Sequence, residues 1–184
     1  MRDAAPFQPA PADLARARSL AYPGHPPFPD DRLRMVDHLE IVLPDGGPRG
    51  LGFLRGTTRV RPEAWFFKAH FYQDPVVPGS LGLESLLQLL RVAALERWGH
   101  APEARWDAVA IGAPHQWVYR GQVVPANPLV TVEAAITGVD EAAGRLTADG
   151  FLSVDGRVIY GMKDFTVQRS VGKAIARPGL ECER

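Results

Sequence analysis

The chain has 184 residues, 46% of them apolar and 23% charged, which suits one domain with a core and excludes global disorder. Lys plus Arg equals Asp plus Glu at 21 each, so no basic excess points to nucleic acid as the main partner. The one cysteine, Cys182, excludes an intrachain disulfide and a Cys-rich metal site, and fits a cytoplasmic setting.

The N-terminus, MRDAAPFQPAPADLARARSLAYPG, lacks the apolar core of a signal peptide. Residues 1–32 are rich in Pro and Ala and read as a linker or surface arm, because proline removes amide donors and cannot join a central sheet. A short helix is expected over Asp13 to Leu20. An ordered domain is expected over residues 33–170, with a tail from 171 to 184. The linker-like ends read as those of a piece of a longer multidomain protein.

Leu39 to Leu43 and Gly50 to Val60 read as strands, parted by Pro44-Asp45-Gly46-Gly47-Pro48. A helix is predicted from about Ser80 to Trp98. Its longest apolar run, Leu81 to Ala94, carries Glu84, Gln88 and Arg91 and is too short to span a bilayer. Further strands are predicted at Ala108 to Ile111, Gln116 to Val124, Leu129 to Thr137, Leu146 to Val154 and Val158 to Gln168. Asp155-Gly156 between two β-branched runs signals a tight hairpin. Strands, one long apolar helix and then antiparallel strands make an α+β pattern, satisfied by a sheet curled around one buried helix.

On that helix Glu84, Gln88 and Arg91 fall at i, i+4 and i+7, one narrow polar stripe. A buried carboxylate there must be paired or protonated, and a protonated Glu is a general acid. A solvated stripe, or a Glu84–Gln88 bond that merely fixes packing, fits the helix pattern as well. His70 lies among Trp65, Phe66, Phe67 and Phe71; an apolar setting keeps imidazole neutral and able to accept a proton, and equally suits a structural histidine. His25, His38, His100 and His115 have no comparable context. Between His70 and Glu84, Asp74-Pro75-Val76-Val77-Pro78-Gly79-Ser80 stiffens the approach to the helix. The Gly79 and Ser80 amides at its start suit an oxygen gaining enolate charge, or simply form an ordinary turn. Ser80 lacks a G-x-S-x-G context and is not read as a nucleophile.

The run from Trp65 through Glu84 to Gln88, with Gly121 to Pro125 and Asp149 to Tyr160, resembles 3-hydroxyacyl-(acyl carrier protein) dehydratases of the 3-hydroxydecanoyl type. The likeness covers roughly Leu33 to Gln168, and Phe67 to Pro75 is especially similar to dehydratase domains of bacterial polyunsaturated fatty acid synthases. The resemblance implies a hot-dog fold working as a homodimer or with a second hot-dog domain. It implies that His70 removes the α-proton of a 3-hydroxyacyl thioester and that Glu84 of the neighbouring hot dog protonates the leaving hydroxyl. It places the Gly79 amide on the thioester oxygen, sets Gln88 to orient Glu84, and puts Val76 and Ser80 in the substrate-binding segment. The substrate would arrive on the phosphopantetheine arm of an acyl carrier protein, with no metal or organic cofactor. In one respect the chain departs from the type: Glu84 stands where Asp is usual, a difference of about one C–C bond, or ~1.5 Å. That leaves trans-2 to cis-3 isomerisation open. The other readings are a hot-dog thioesterase, against which the histidine context speaks, and a non-catalytic acyl-binding or dimerisation module.

Overall fold

In a computed structural model, residues 6–23, 28–101 and 104–170 are described; His25, Cys182 and the 171–184 tail lie outside them. The elements run α1 (Pro11–Arg16), β1 (Arg18–Ala21), β2 (His38–Leu43), β3 (Phe53–Arg59), α2 (Trp65–Ala69), α3 (Gly79–Trp98), β4 (Arg105–Ala108), β5 (Gln116–Tyr119), β6 (Leu129–Asp140), β7 (Arg145–Val154) and β8 (Arg157–Ser170). They build one antiparallel sheet in the order β1-β2-β3-β6-β7-β8-β4, with β5 also pairing β8. The expected α+β architecture, a curled antiparallel sheet around one long helix, is what the chain forms.

Strand alternation explains how the helix is held. In β7 every second residue from Leu146 to Val154 is buried, so one face points inward at period two. Leu86, Leu89, Leu90 and Ala94 of α3 are fully buried against that face. Each such leucine contributes ~1.5–3 kcal/mol of burial. Gly82 lets the helix seat: a Cβ there would stand 2.1 Å from Cε2 of the buried Tyr160. The far end of α3 is fixed by β8, where Arg169 Nη1 donates to the carbonyls of Trp98 and Gly99 at 3.1 and 3.2 Å. The hairpin between β7 and β8 turns at Asp155 and Gly156, both with positive φ (51° and 79°), as a tight I′-like turn requires.

Several boundaries differ from the sequence reading. Within the stretch read as an arm, the helix ends at Arg16 and Arg18–Ala21 pairs β2 as an edge strand, a position where prolines nearby do no harm. The strand expected over Ala108 to Ile111 lies earlier, at Arg105–Ala108, because Val109 takes a positive φ and the Ala110 amide turns to Thr166 Oγ1. β5 stops at Tyr119 rather than Val124, and the Val123 carbonyl instead accepts from the Val77 amide at 2.9 Å. That bond ties down the loop that enters α3. No helix among the described residues is long and apolar enough to cross a membrane.

Candidate active site

The polar stripe on α3 is a bonded network. Gln88 is fully buried; its Nε2 donates to Leu33 O at 2.8 Å and Glu84 Oε1 at 3.1 Å, and its Oε1 accepts from the Met35 amide at 2.9 Å. Arg91 Nη1 donates to the same Glu84 Oε1 at 3.0 Å. The i, i+4 and i+7 spacing sets the three side chains on one face, and the 33–35 backbone closes over them. One carboxylate oxygen is therefore locked by two donors, while Oε2 has no protein partner among the described residues.

His70 ends α2 as its C-cap, half-buried, with its ring stacked on Phe71 at 3.9 Å between centroids. Its Nδ1 lies 3.3 Å from the carbonyl oxygen of Val76. A carbonyl only accepts, so this contact needs the proton on Nδ1, and a neutral ring so bonded carries its lone pair on Nε2, the arrangement of a general base. Val76 itself is buried at 2% exposure, and its amide donates back to His70 O at 3.1 Å. The loop thus holds the His70 backbone through one bond and its ring through the other.

Gly79 opens α3 behind Pro78, and no side chain caps this helix end. First-turn amides are left for other acceptors. Trp117 lies over Gly79: a Cβ there would stand 2.9 Å from Trp117 Cη2, so a larger residue would push the indole away. Trp117, Tyr119 and Tyr160 form a linked aromatic wall with centroids 4.9 to 5.7 Å apart. Ser80 is exposed.

A cavity of about 330 Å³ opens between α3 and the sheet, at the lower end of the size typical of ligand pockets. Its walls include Val77, Leu81, Val123, Val130 and Leu152, and its rim carries Arg32, Arg34, Arg59 and Arg61. Arg34 pairs with Asp31 at 2.9 Å and Arg61 with Asp37 at 3.0 Å, while Arg32 and Arg59 have no acidic side-chain partner among the described residues. His70, Gly79, Glu84 and Gln88 are not among the residues lining this cavity, whereas their chain neighbours or partners Val77, Ser85 and Met35 are. Within one chain, however, no hydrogen bond or ion pair among the described residues joins His70 to Glu84.

Three features of the site lie beyond the sequence reading. The role of Leu33 and Met35 as backbone partners of Gln88 leaves no side-chain signal. Trp117 lies far from Gly79 in sequence and its placement is purely tertiary. Tyr22, in the proline-rich stretch, is buried at 4% exposure with an unpartnered hydroxyl. Burial pushes its phenol up, Arg91 opposes that, and Glu84 adds to it. A buried hydroxyl without a partner costs ~1–3 kcal/mol. The one signal in the sequence is an aromatic after Leu20-Ala21 in an otherwise Pro/Ala-rich run.

Comparison with known proteins bears on this arrangement. Residues 28–163 match the family described as FabA-like domain. Over 145 residues the chain is 32% identical to a polyunsaturated fatty acid synthase from Thraustochytrium, a match that takes in 77% of this chain and 10% of that protein. It thus spans about a tenth of that relative's length. Among solved structures, the dehydratase heterocomplex ApeI:P from Xenorhabdus doucetiae aligns with a TM-score of 0.57 at 11% identity, covering 77% of this chain and 86% of that one. That likeness concerns the fold.

Proposed function

The chain belongs to the FabA-like domain family, and from that premise we propose that it dehydrates 3-hydroxyacyl thioesters to trans-2-enoyl thioesters in fatty acid synthesis. The observation that carries the reading is the opposed state of two side chains. His70 holds its proton on Nδ1 and offers Nε2, whereas Glu84 has one oxygen locked and one open. In the proposed reaction His70 Nε2 takes the α-proton and the C–H electrons form the C=C bond. The C–O bond breaks as the Glu84 carboxyl delivers its proton to the hydroxyl, releasing water, and the proton left on His70 passes back through solvent to Glu84. The α-proton is weakly acidic, so the enolate oxygen needs a donor, and the uncapped amide of Gly79 is the group we assign to it. Only protons and one C–O bond move, so the scheme needs no metal or organic cofactor.

The pair belongs, on this reading, to two hot dogs: His70 of one and Glu84 of the other, in a homodimer or beside a second hot-dog domain. Supporting this, His70 is flanked by Phe71 and Tyr72, exposed at 58% and 90%, which suits coverage by another protein surface. The substrate is placed on the phosphopantetheine arm of an acyl carrier protein or carrier domain in the cytoplasm. The apolar cavity would take the acyl chain, and its Arg32 and Arg59 rim suits an acidic carrier. The synthase relative supports a role inside a larger assembly.

Incubation with 3-hydroxyacyl carrier thioesters of several chain lengths, followed by chromatography and mass spectrometry, tests the reading. The expected product is the trans-2-enoyl thioester; a cis-3 product would add isomerisation to the activity. Release of free thiol without any enoyl product would contradict dehydration and point to thioester hydrolysis.

A further inference from the structure

The cavity under α3 has an open end and a closed end. Arg32, Arg59 and Trp65 border it from exposed positions, whereas Ser85, Val130 and Leu152 border it from buried ones. A ligand therefore enters past the arginines and stops against the sheet. Val130 on β6 and Leu152 on β7, 8% and 1% exposed, belong to the main core and lie on strands that pair with each other. The closed end is thus firm sheet rather than loop.

The helix makes room for that end. Leu86, Leu89 and Leu90 fill the core elsewhere on α3, but at the cavity it presents Gly82 and Ser85, one turn apart. Gly82 is accounted for by Tyr160, which leaves no space for a Cβ. Ser85 is a different case: only 2% exposed, it still borders empty volume. Its hydroxyl donates to Gly82 O at 2.6 Å, so its proton is turned into its own helix and is not offered to a ligand. Protein interiors are otherwise close-packed. A cavity of about 330 Å³ beside so short a side chain, with aliphatic walls at its closed end, calls for a hydrocarbon occupant.

We propose that Ser85, Val130 and Leu152 limit the length of the acyl chain by meeting its methyl end. The chamber lies at the small end of ligand pockets, so the chain it takes is short to medium. A longer chain must leave methylenes outside or push the wall back. Each misplaced methylene is worth roughly 10–200-fold in kcat/KM. The three residues thus select the substrate rather than act on the reacting atoms. This rests on the proposed dehydration and adds the side chains that choose among its substrates.

Ser85→Leu tests it by filling the chamber from the helix side. On 3-hydroxyacyl N-acetylcysteamine thioesters of increasing length, kcat/KM of the unaltered protein should fall sharply beyond one length. Ser85→Leu should bring that fall to shorter chains, with a loss of about tenfold or more at the last length the unaltered protein accepts. Leu152→Val, which withdraws the opposite wall, should carry it to longer chains. A fall that stays in place in both variants, or a flat profile in the unaltered protein, would overturn the proposal. The thermal midpoint checks the void itself: Ser85→Leu should not lower it, and a clearly lower midpoint, the mark of overpacking, counts against an open chamber. Binding needs no turnover. Saturated acyl N-acetylcysteamine thioesters, which lack the hydroxyl, should bind more tightly with length up to the same limit in calorimetry, and Ser85→Leu should shorten that limit. If the unaltered protein eliminates water from no 3-hydroxyacyl thioester, the dehydration reading fails, and the binding series then decides the chamber by itself.

Discussion

Around Glu84, Gln88 and the 33–35 backbone are committed to bonds, whereas around His70 a single long bond orients the ring and the flanking aromatics face outward. The first half-site is complete within one chain; the second is braced from one side and open on the other. An acid must be held in a fixed geometry by its surroundings, and a buried helix can do that alone. A base that meets a substrate between two protein bodies needs an exposed lip. Fourteen residues apart in sequence, the two side chains are joined by no hydrogen bond or ion pair among the described residues.

The largest effects should come from removing either half's chemistry. His70→Ala and Glu84→Gln are each expected to lower kcat by ~10²–10⁴-fold, with circular dichroism and melting retained. The next effect separates the two halves by stability. Gln88→Ala leaves the Met35 amide and the Leu33 carbonyl unpaired and should cost ~1–3 kcal/mol for each group left buried, read by urea unfolding. On the open side, Phe71→Ser with Tyr72→Ser should leave unfolding within ~0.5 kcal/mol. The same double change should weaken self-association by roughly tenfold or more in sedimentation. Unchanged self-association would remove the argument that this lip is covered.

The smallest effect lies away from both halves, on the outer face of the sheet. Burial raises the Glu133 carboxyl above its ordinary 4.5, an effect that Arg55 only partly offsets at 2.6 Å. The native state therefore holds this proton more tightly than the unfolded chain. Stability from this group is greatest below the unfolded value and declines as pH rises through the raised one. Glu133→Gln should flatten that decline in melts across the acidic range and leave turnover untouched; a persisting slope would assign it elsewhere.

Periodicity made much of this legible. The long helix, the β7–β8 hairpin and the Glu84–Gln88–Arg91 stripe all follow from spacing, because local geometry dictates which side chains share a face. Motif spacing likewise singles out His70, Gly79 and Glu84. Hidden from the sequence were contacts made across long separations: Trp117 over Gly79, and Leu33 and Met35 around Gln88. Edge strand β1 was hidden for a different reason, since prolines around it read as loop although an edge needs fewer donors. The Trp65–Ala69 helix is too short to carry a period.

The claim that one catalytic site takes His70 from one copy and Glu84 from another is tested most directly by mixing the two inactive variants. His70→Ala and Glu84→Gln protein, denatured together and refolded one to one, should recover about a quarter of the unaltered dehydration rate, since half the dimers are mixed and each rebuilds one of two sites. A mixture as inactive as either variant alone, with mixed dimers demonstrated by mass spectrometry, would contradict the account.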